Sequence, residues 1–269
     1  MKYWNKKTAI VTGASGGLGL HIAEALVRAG ANVVLAARTA APLDSAVTKL
    51  QNLGAGGTVI GIPTDVLRDD DVADLVRQTI DRFGRLDALV NNAGLSMRKA
   101  ILETTVEDFR AMLELNVLAV VRTTIAAAPH LLASRGHLVN IGSLSGKSAS
   151  RWLGAYPASK FAVTAYTQQL RLELEPEGLN VLLVCPGPIA RDDDRVRSPE
   201  ELANLPPEAR KPGGGVKTTR IPPGKLAAKI LAACEARRGE LIVPWKARLV
   251  FTLMQTSPTL ADWLVRKLT

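Results

Sequence analysis

A chain of 269 residues with 47% hydrophobic and 22% charged side chains is long enough to bury a sizeable core and is neither disordered nor fibrous in composition. Aromatic residues are only 4%, so the core is expected to be aliphatic. The formal net charge of +9 favours nucleic acid, an anionic membrane or an anionic substrate without choosing among them.

In chain order, apolar period and turn residues predict a strand over 7–12, a helix over 17–29, a strand over 32–37 and a helix over 41–53. A strand over 57–62, a helix over 69–82 and a strand over 86–91 follow. The second half continues with a helix over 106–128, a strand over 137–142, a helix over 155–174, a strand over 179–185, a helix over 223–236 and a strand over 240–243. The strands, such as Ala9-Ile10-Val11 and Ala88-Leu89-Val90, are apolar throughout, as parallel strands covered on both faces must be. Gly30 and Gly84 stand where helices end on a left-handed residue. The pattern is an α/β fold, a doubly wound parallel sheet in three layers with an extra C-terminal helical tail. It is read as one domain over 1–269, with a core at 6–244, a substrate loop at 190–220 rich in Pro and Gly, and a tail at 245–269.

Cys185 and Cys234 form no metal or disulfide pattern, and His21, His130 and His137 fall in different elements. No metal site is expected, and a reducing, cytoplasmic setting fits best. Met1 to Lys7 passes straight into strand-turn-helix, so its short apolar run is expected to be strand rather than a signal peptide. No uninterrupted apolar run approaches a membrane span.

Thr12-Gly13-Ala14-Ser15-Gly16-Gly17-Leu18-Gly19 links the first strand to the first helix. Glycines there let the backbone approach a pyrophosphate, whose charge the helix start favours. The next strand ends Leu35-Ala36-Ala37-Arg38, where an acid would hold a ribose 2′-hydroxyl in an NAD site. No acid is present. Arg38 suits a 2′-phosphate instead, which points to NADP (NADPH), with a merely solvated arginine as the alternative.

Tyr156 and Lys160, in Tyr156-Pro157-Ala158-Ser159-Lys160, lie one helical turn apart and can share a pocket. An ammonium there stabilises tyrosinate and makes the phenol a usable proton donor to a carbonyl. Ser143 follows the fifth strand and Asn91-Asn92-Ala93-Gly94 ends the fourth, so three strand ends and one helix converge on one crevice. Each of these residues alone reads as a surface pair, a local cap or a turn; their combination carries the argument.

These motifs, in this order and spacing, resemble the short-chain dehydrogenase/reductase (SDR) family over about residues 6–244. The resemblance implies Tyr156 as general acid/base, Ser143 on the substrate oxygen, Lys160 on the nicotinamide ribose and Asn116 supporting a proton-relay water. It implies cofactor contacts from Gly13, Ser15, Gly16, Gly17, Leu18, Gly19, Arg38, Asp65, Val66, Asn92, Ala93, Gly94, Tyr156 and Lys160, with Pro186, Gly187 and Ile189 beside the nicotinamide. Arg191 stands where the family often has threonine, which leaves the following loop open.

The expected function is therefore reversible NADP(H)-dependent carbonyl/alcohol oxidoreduction. The alternatives are a catalytically silent nucleotide-binding or scaffold protein and, less favoured, a nucleic-acid binder, for which no recognition module is present. The expected partners are a small-molecule carbonyl or alcohol and, from the resemblance, a homodimer or homotetramer. In the tail, Ser257-Pro258 reads as the start of a helix with Leu260, Trp263, Leu264 and Leu268 on one face, after an apolar stretch from Trp245 to Met254. That surface is expected to pack on its own domain or in a subunit interface, with weak membrane-surface contact through 245–269 ranked last.

Overall fold

The computed structural model describes residues 3–190, 219–257, 259, 262 and 263. Seven parallel strands form one sheet in the order β3-β2-β1-β4-β5-β6-β7. They are β1 (Thr8–Thr12), β2 (Asn32–Ala37), β3 (Val59–Pro63), β4 (Ala88–Asn91), β5 (His137–Ile141), β6 (Asn180–Pro186) and β7 (Glu240–Val243). The order reverses between β1 and β4, and the crevice of a doubly wound sheet opens at that point, outside the strand carboxyl ends.

Helices cover both faces: α1 (Gly17–Arg28), α2 (Ala40–Gln51), α3 (Asp69–Phe83), α4 (Val106–Leu113), α5 (Ala119–Ala133), α6 (Tyr156–Leu174), α7 (Pro223–Glu235) and, beyond the sheet, α8 (Lys246–Thr256). One core gathers α1, α2 and α7 around Val11, Ile22, Leu35, Leu226 and Ile230. A second lies under α3 and α5 and contains Ile10, Leu75, Leu89, Leu131 and Leu138, and a smaller third joins Val163 of α6 to Leu183 and Cys185 of β6. β1 and β6 are buried at every position, which accounts for their unbroken apolar runs. Gly30 and Gly84 are left-handed, with φ of +91° and +70°.

The helix expected over 106–128 runs on to Ala133 and is not regular. Glu114–Leu118 form a π turn between α4 and α5. By length and composition Val106–Ala133 would suffice to cross a membrane, which a search for an unbroken apolar run misses. Its buried residues Val120, Thr123, Ala127 and Leu131 face the sheet, as in a core helix.

A helix that sequence reading left unassigned precedes the expected tail helix. α8 occupies Lys246–Thr256 and Ser257 returns to extended backbone. Residues 259, 262 and 263 are helical, while Pro258, Leu260, Leu264 and Leu268 fall outside the described residues. So do residues 191–218 of the expected substrate loop, Arg191 among them. The two flanks of that loop are joined: Ala190 N–H donates to the Ile221 carbonyl at 2.9 Å, and Ile221 N–H to the Pro188 carbonyl at 2.8 Å.

Candidate active site

The glycine turn is shaped by close approach. Gly13 has φ +62°, and an added Cβ would meet Ala93 Cα at 3.0 Å. At Gly19 it would collide with the Gly13 carbonyl and lie 2.6 Å from Asn92 Nδ2. Asn92 Nδ2 itself donates to the carbonyls of Thr12 (2.9 Å) and Gly13 (3.2 Å). Thr12 Oγ1 accepts from the N–H groups of Asn92 and Ala93 at 3.0 and 3.1 Å. The ends of β1 and β4 are thus sewn together, and the start of α1 is held against them.

The outer side of the turn is open. Gly16 and Gly17 have no atom within 4 Å of an added Cβ, and Gly17 has φ +53°. The α1 N-terminus receives no side-chain cap and no acidic residue in its first turn, so its first N–H groups and dipole suit an anion. Arg38 follows β2, is exposed, and makes no ion pair among the described residues. Asp65 turns one carboxylate oxygen to Leu67 N–H at 3.1 Å. Val66 and Ala93 line one narrow cleft with Thr12 and Asn91.

A buried polar ladder fixes the next layer. Thr123 Oγ1 donates to Asn91 Oδ1 at 2.7 Å, Asn91 Nδ2 to Asn140 Oδ1 at 2.9 Å, and Asn140 Nδ2 to Thr167 Oγ1 at 3.0 Å. All four residues are buried, and each bond satisfies a group that would otherwise be stranded away from water. The ladder sets α5 and α6 against β4 and β5. Sequence reading had treated Asn91 only as part of a turn.

Asn116 sits in the π turn with 1% of its surface exposed. Its Oδ1 accepts from Leu95 N–H at 2.9 Å, and its Nδ2 donates to the Leu95 carbonyl and Ser159 Oγ, each at 3.0 Å. A Cβ on Gly94 would lie 2.8 Å from Asn116 Oδ1 and 3.8 Å from Lys160 Nζ. Only a bare backbone fits between them.

Tyr156 opens α6, with Pro157 in the first turn where its missing N–H is harmless. Tyr156 is half-buried and Lys160 is 7% exposed. Lys160 Nζ donates to the Ile141 carbonyl at 2.8 Å and lies 5.9 Å from the Tyr156 ring centroid. Burial lowers the ammonium to about 8. Ser143 Oγ accepts from Ser145 N–H at 3.1 Å, the local capping arrangement, which leaves its own proton available. The short turn Leu144–Gly146 packs on α6, because Gly146 has no Cβ to strike the Lys160 carbonyl, 2.6 Å away from where that atom would stand. Pro186 and Gly187 follow at the next strand end, with Gly187 N–H donating to the Val243 carbonyl at 2.7 Å.

The structure therefore gathers Ser143, Tyr156, Lys160, Asn116, Gly94 and the glycine turn at one end of the sheet. Sequence reading missed Thr12 Oγ1 as the stitch between strands, and the lock of Asn116 on Leu95. The Thr12-Gly13 and Asn92-Ala93 pairs were visible, but their contact is a product of the β1–β4 pairing.

The sequence pattern of the short chain dehydrogenases matches residues 7–201. An uncharacterized oxidoreductase of Staphylococcus saprophyticus is 38% identical over 193 residues, 70% of this chain and 82% of that protein. The ketoacyl reductase HetN of a Nostoc species is 31% identical over 97% of this chain and 88% of its own length. The L-fucose dehydrogenase of Bos taurus is 41% identical over 68% of this chain and 66% of its own length. Among solved structures, a short-chain dehydrogenase/reductase from Burkholderia phymatum in complex with NAD superposes with a TM-score of 0.83. It is 27% identical and covers 97% of this chain and 96% of its own. The chain belongs to the short-chain dehydrogenase family of oxidoreductases.

Proposed function

We propose that this protein is an NADP(H)-dependent carbonyl/alcohol oxidoreductase with Tyr156 as general acid/base. The observation that carries the reading is the buried Lys160 ammonium, 5.9 Å from the Tyr156 ring. At neutral pH a lysine lowered to about 8 is still mostly charged, and that charge favours tyrosinate over phenol. When bound, the nicotinamide cofactor supplies or accepts the hydride.

In the reducing direction Tyr156 gives its hydroxyl proton to the carbonyl oxygen, while Ser143 donates a hydrogen bond to the same oxygen. Its remaining lone-pair contact with Ser145 N–H holds the hydroxyl in place. Lys160 places its positive charge beside the Tyr156 ring and would hold the nicotinamide ribose. Asn116 supports the proton relay through the main chain of its π turn, since its side chain is committed to Leu95 and Ser159. Pro186, Gly187 and Ile189 would lie beside the nicotinamide.

The cradle of Gly13, Ser15, Gly16, Gly17, Leu18 and Gly19 suits a pyrophosphate, and Asp65, Val66, Asn92 and Ala93 suit the adenosine side. The Burkholderia relative holds NAD, but here the end of β2 offers the exposed Arg38 and no carboxylate, which favours the 2′-phosphate of NADP. Exposed apolar side chains on α5 and α6, Ile125, Phe161 and Leu172 among them, support a homo-oligomer. The buried thiols of Cys185 and Cys234 support a reducing, cytoplasmic setting.

The test is a panel of ketones, 3-ketoacyl thioesters, sugars and alcohols assayed with NADPH and NADH. Turnover with NADPH preferred is the expected result. A folded protein that binds NADPH and turns over nothing in either direction would leave the catalytically silent reading in its place.

A further inference from the structure

Helix α8 carries two apolar faces. Ala247, Val250, Phe251 and Met254, at the spacing of one helix side, are half-buried. Trp245, Leu249 and Leu253, four residues apart, form a second stripe on the other side, and they are 67%, 64% and 49% exposed. Lys246 and Arg248 flank this stripe on its two sides and are exposed as well. No Asp or Glu occurs between Leu241 and Ala261. Trp263, half exposed, continues the apolar character beyond the helix.

We propose that this stripe seats α8 on an anionic lipid surface. From the sequence, packing on the domain itself or in a subunit interface came first, and the exposure of the stripe argues against the first of these. The face turned to the protein is already supplied by Ala247, Val250, Phe251 and Met254, so the domain does not need the stripe. A second copy is a poor match. The three stripe side chains offer on the order of 400 Å², against about 800 Å² per partner in a stable interface. A copy of the same helix would also bring no carboxylate to answer Lys246 and Arg248. An anionic bilayer answers both features, because a few interfacial Trp and Leu side chains and flanking cations are what binding in the headgroup plane requires.

The placement is consistent with access to the site. α8 begins directly after β7, all strands are parallel, and the helix therefore stands at the carboxyl end of the sheet, where Ser143 and Tyr156 lie.

Co-sedimentation of the full chain with vesicles tests this. The protein is expected to pellet with phosphatidylcholine mixed with phosphatidylglycerol and to stay in solution with phosphatidylcholine alone. Leu249→Asp combined with Leu253→Asp should reduce binding on the order of tenfold or more, with light-scattering mass, melting temperature and NADPH affinity unchanged. Lys246→Glu combined with Arg248→Glu should give a loss that added salt reproduces in the parent protein. No sedimentation with the anionic vesicles, or equal sedimentation of the Asp variant, overturns the proposal. A lower light-scattering mass for the Asp variant also overturns it and assigns the stripe to a second copy.

Discussion

Lys160 Nζ donates to the carbonyl of Ile141, the last residue of β5, at 2.8 Å, so the ammonium beside Tyr156 is anchored to the strand that presents Ser143 two residues later. This anchoring holds a charge where burial opposes it. With Lys160 lowered from 10.5 to about 8, both folded and unfolded chains are protonated below pH 8, and the full desolvation penalty acts against folding. Between about pH 8 and 10.5 the folded chain gives up its proton first, and stability rises with pH. The penalty corresponds to about 3 kcal/mol.

Lys160→Met removes that penalty and also strips the Ile141 carbonyl of its donor, which costs about 1–2 kcal/mol. The variant is expected to melt a few degrees higher than the parent at pH 7, while turnover falls by at least about a hundredfold. Calorimetry without cofactor, beside steady-state kinetics, checks both halves. A lower melting temperature would show that the buried ammonium is net stabilising.

Tyr156→Phe keeps the ring and removes the proton donor. Turnover is expected to drop by roughly 10²–10⁴-fold with the NADPH dissociation constant little changed, as measured by fluorescence titration. Near-normal turnover would remove Tyr156 from its role.

Arg38→Ala is expected to weaken NADPH binding by about tenfold or more, in line with a charge-assisted contact of about 1.5–3 kcal/mol, and to leave NADH binding nearly unchanged. Isothermal titration with both cofactors decides it, and equal losses would show that Arg38 does not read the 2′-phosphate.

His137 opens β5 at the end of the sheet opposite the candidate site. Its Nδ1–H donates to Asn180 Oδ1 at 2.9 Å, and its Nε2 accepts from the Tyr3 hydroxyl at 2.7 Å, an assignment made from the hydrogen-bond network. Burial lowers this imidazole to about 4 from 6.5. Between those values the unfolded chain binds the proton and the folded one does not, so stability is lost as pH falls from 6.5 towards 4, by up to about 3 kcal/mol. Urea midpoints are expected to fall more steeply over that window in the parent than in His137→Gln. Parallel pH dependences would show that His137 does not drive the loss.

His137 and Lys160 together mark the limit of what was legible in the sequence. Among the described residues, apolar runs located each strand and each sheet-covering helix, because most of the parallel strands are buried on both faces. The tight motifs marked Ser143, Tyr156 and Lys160 for the same reason: their spacing is local. The π turn at Glu114–Leu118 left no trace, since shifting a few bonds within a continuing helix leaves the apolar rows almost unchanged. Nor did the start of β3 announce itself. The strand begins at Val59 rather than 57, since Gly57 lies against the Ala31 carbonyl and Thr58 N–H is taken by Asn32 Oδ1 at 3.0 Å. Those contacts, like the burial of Lys160 and His137, exist only once distant segments meet.

The last prediction separates the two halves of the candidate site by using two glycines. At Gly19 a Cβ would strike the Gly13 carbonyl and Asn92 Nδ2, the atoms that hold the phosphate turn to β4. At Gly146 it would lie 2.6 Å from the Lys160 carbonyl and 2.8 Å from Thr164 Oγ1, backbone and a side chain of α6 that cannot retreat without moving the helix. Gly146 N–H also donates to the Ser143 carbonyl at 3.0 Å, so displacement of residue 146 carries Ser143 away from Tyr156. Gly19→Ala is therefore expected to raise the NADPH dissociation constant by tenfold or more, about 1.4 kcal/mol. Gly146→Ala should leave NADPH binding close to normal and lower kcat by about a hundredfold, because a misplacement of roughly 1 Å between reacting groups has that effect. Both variants are expected to lose about 1–3 kcal/mol of stability from overpacking, so binding and kinetics are to be measured well below their melting temperatures. Equal effects of the two substitutions on cofactor affinity would show that the Ser143 turn and the phosphate turn are not separable.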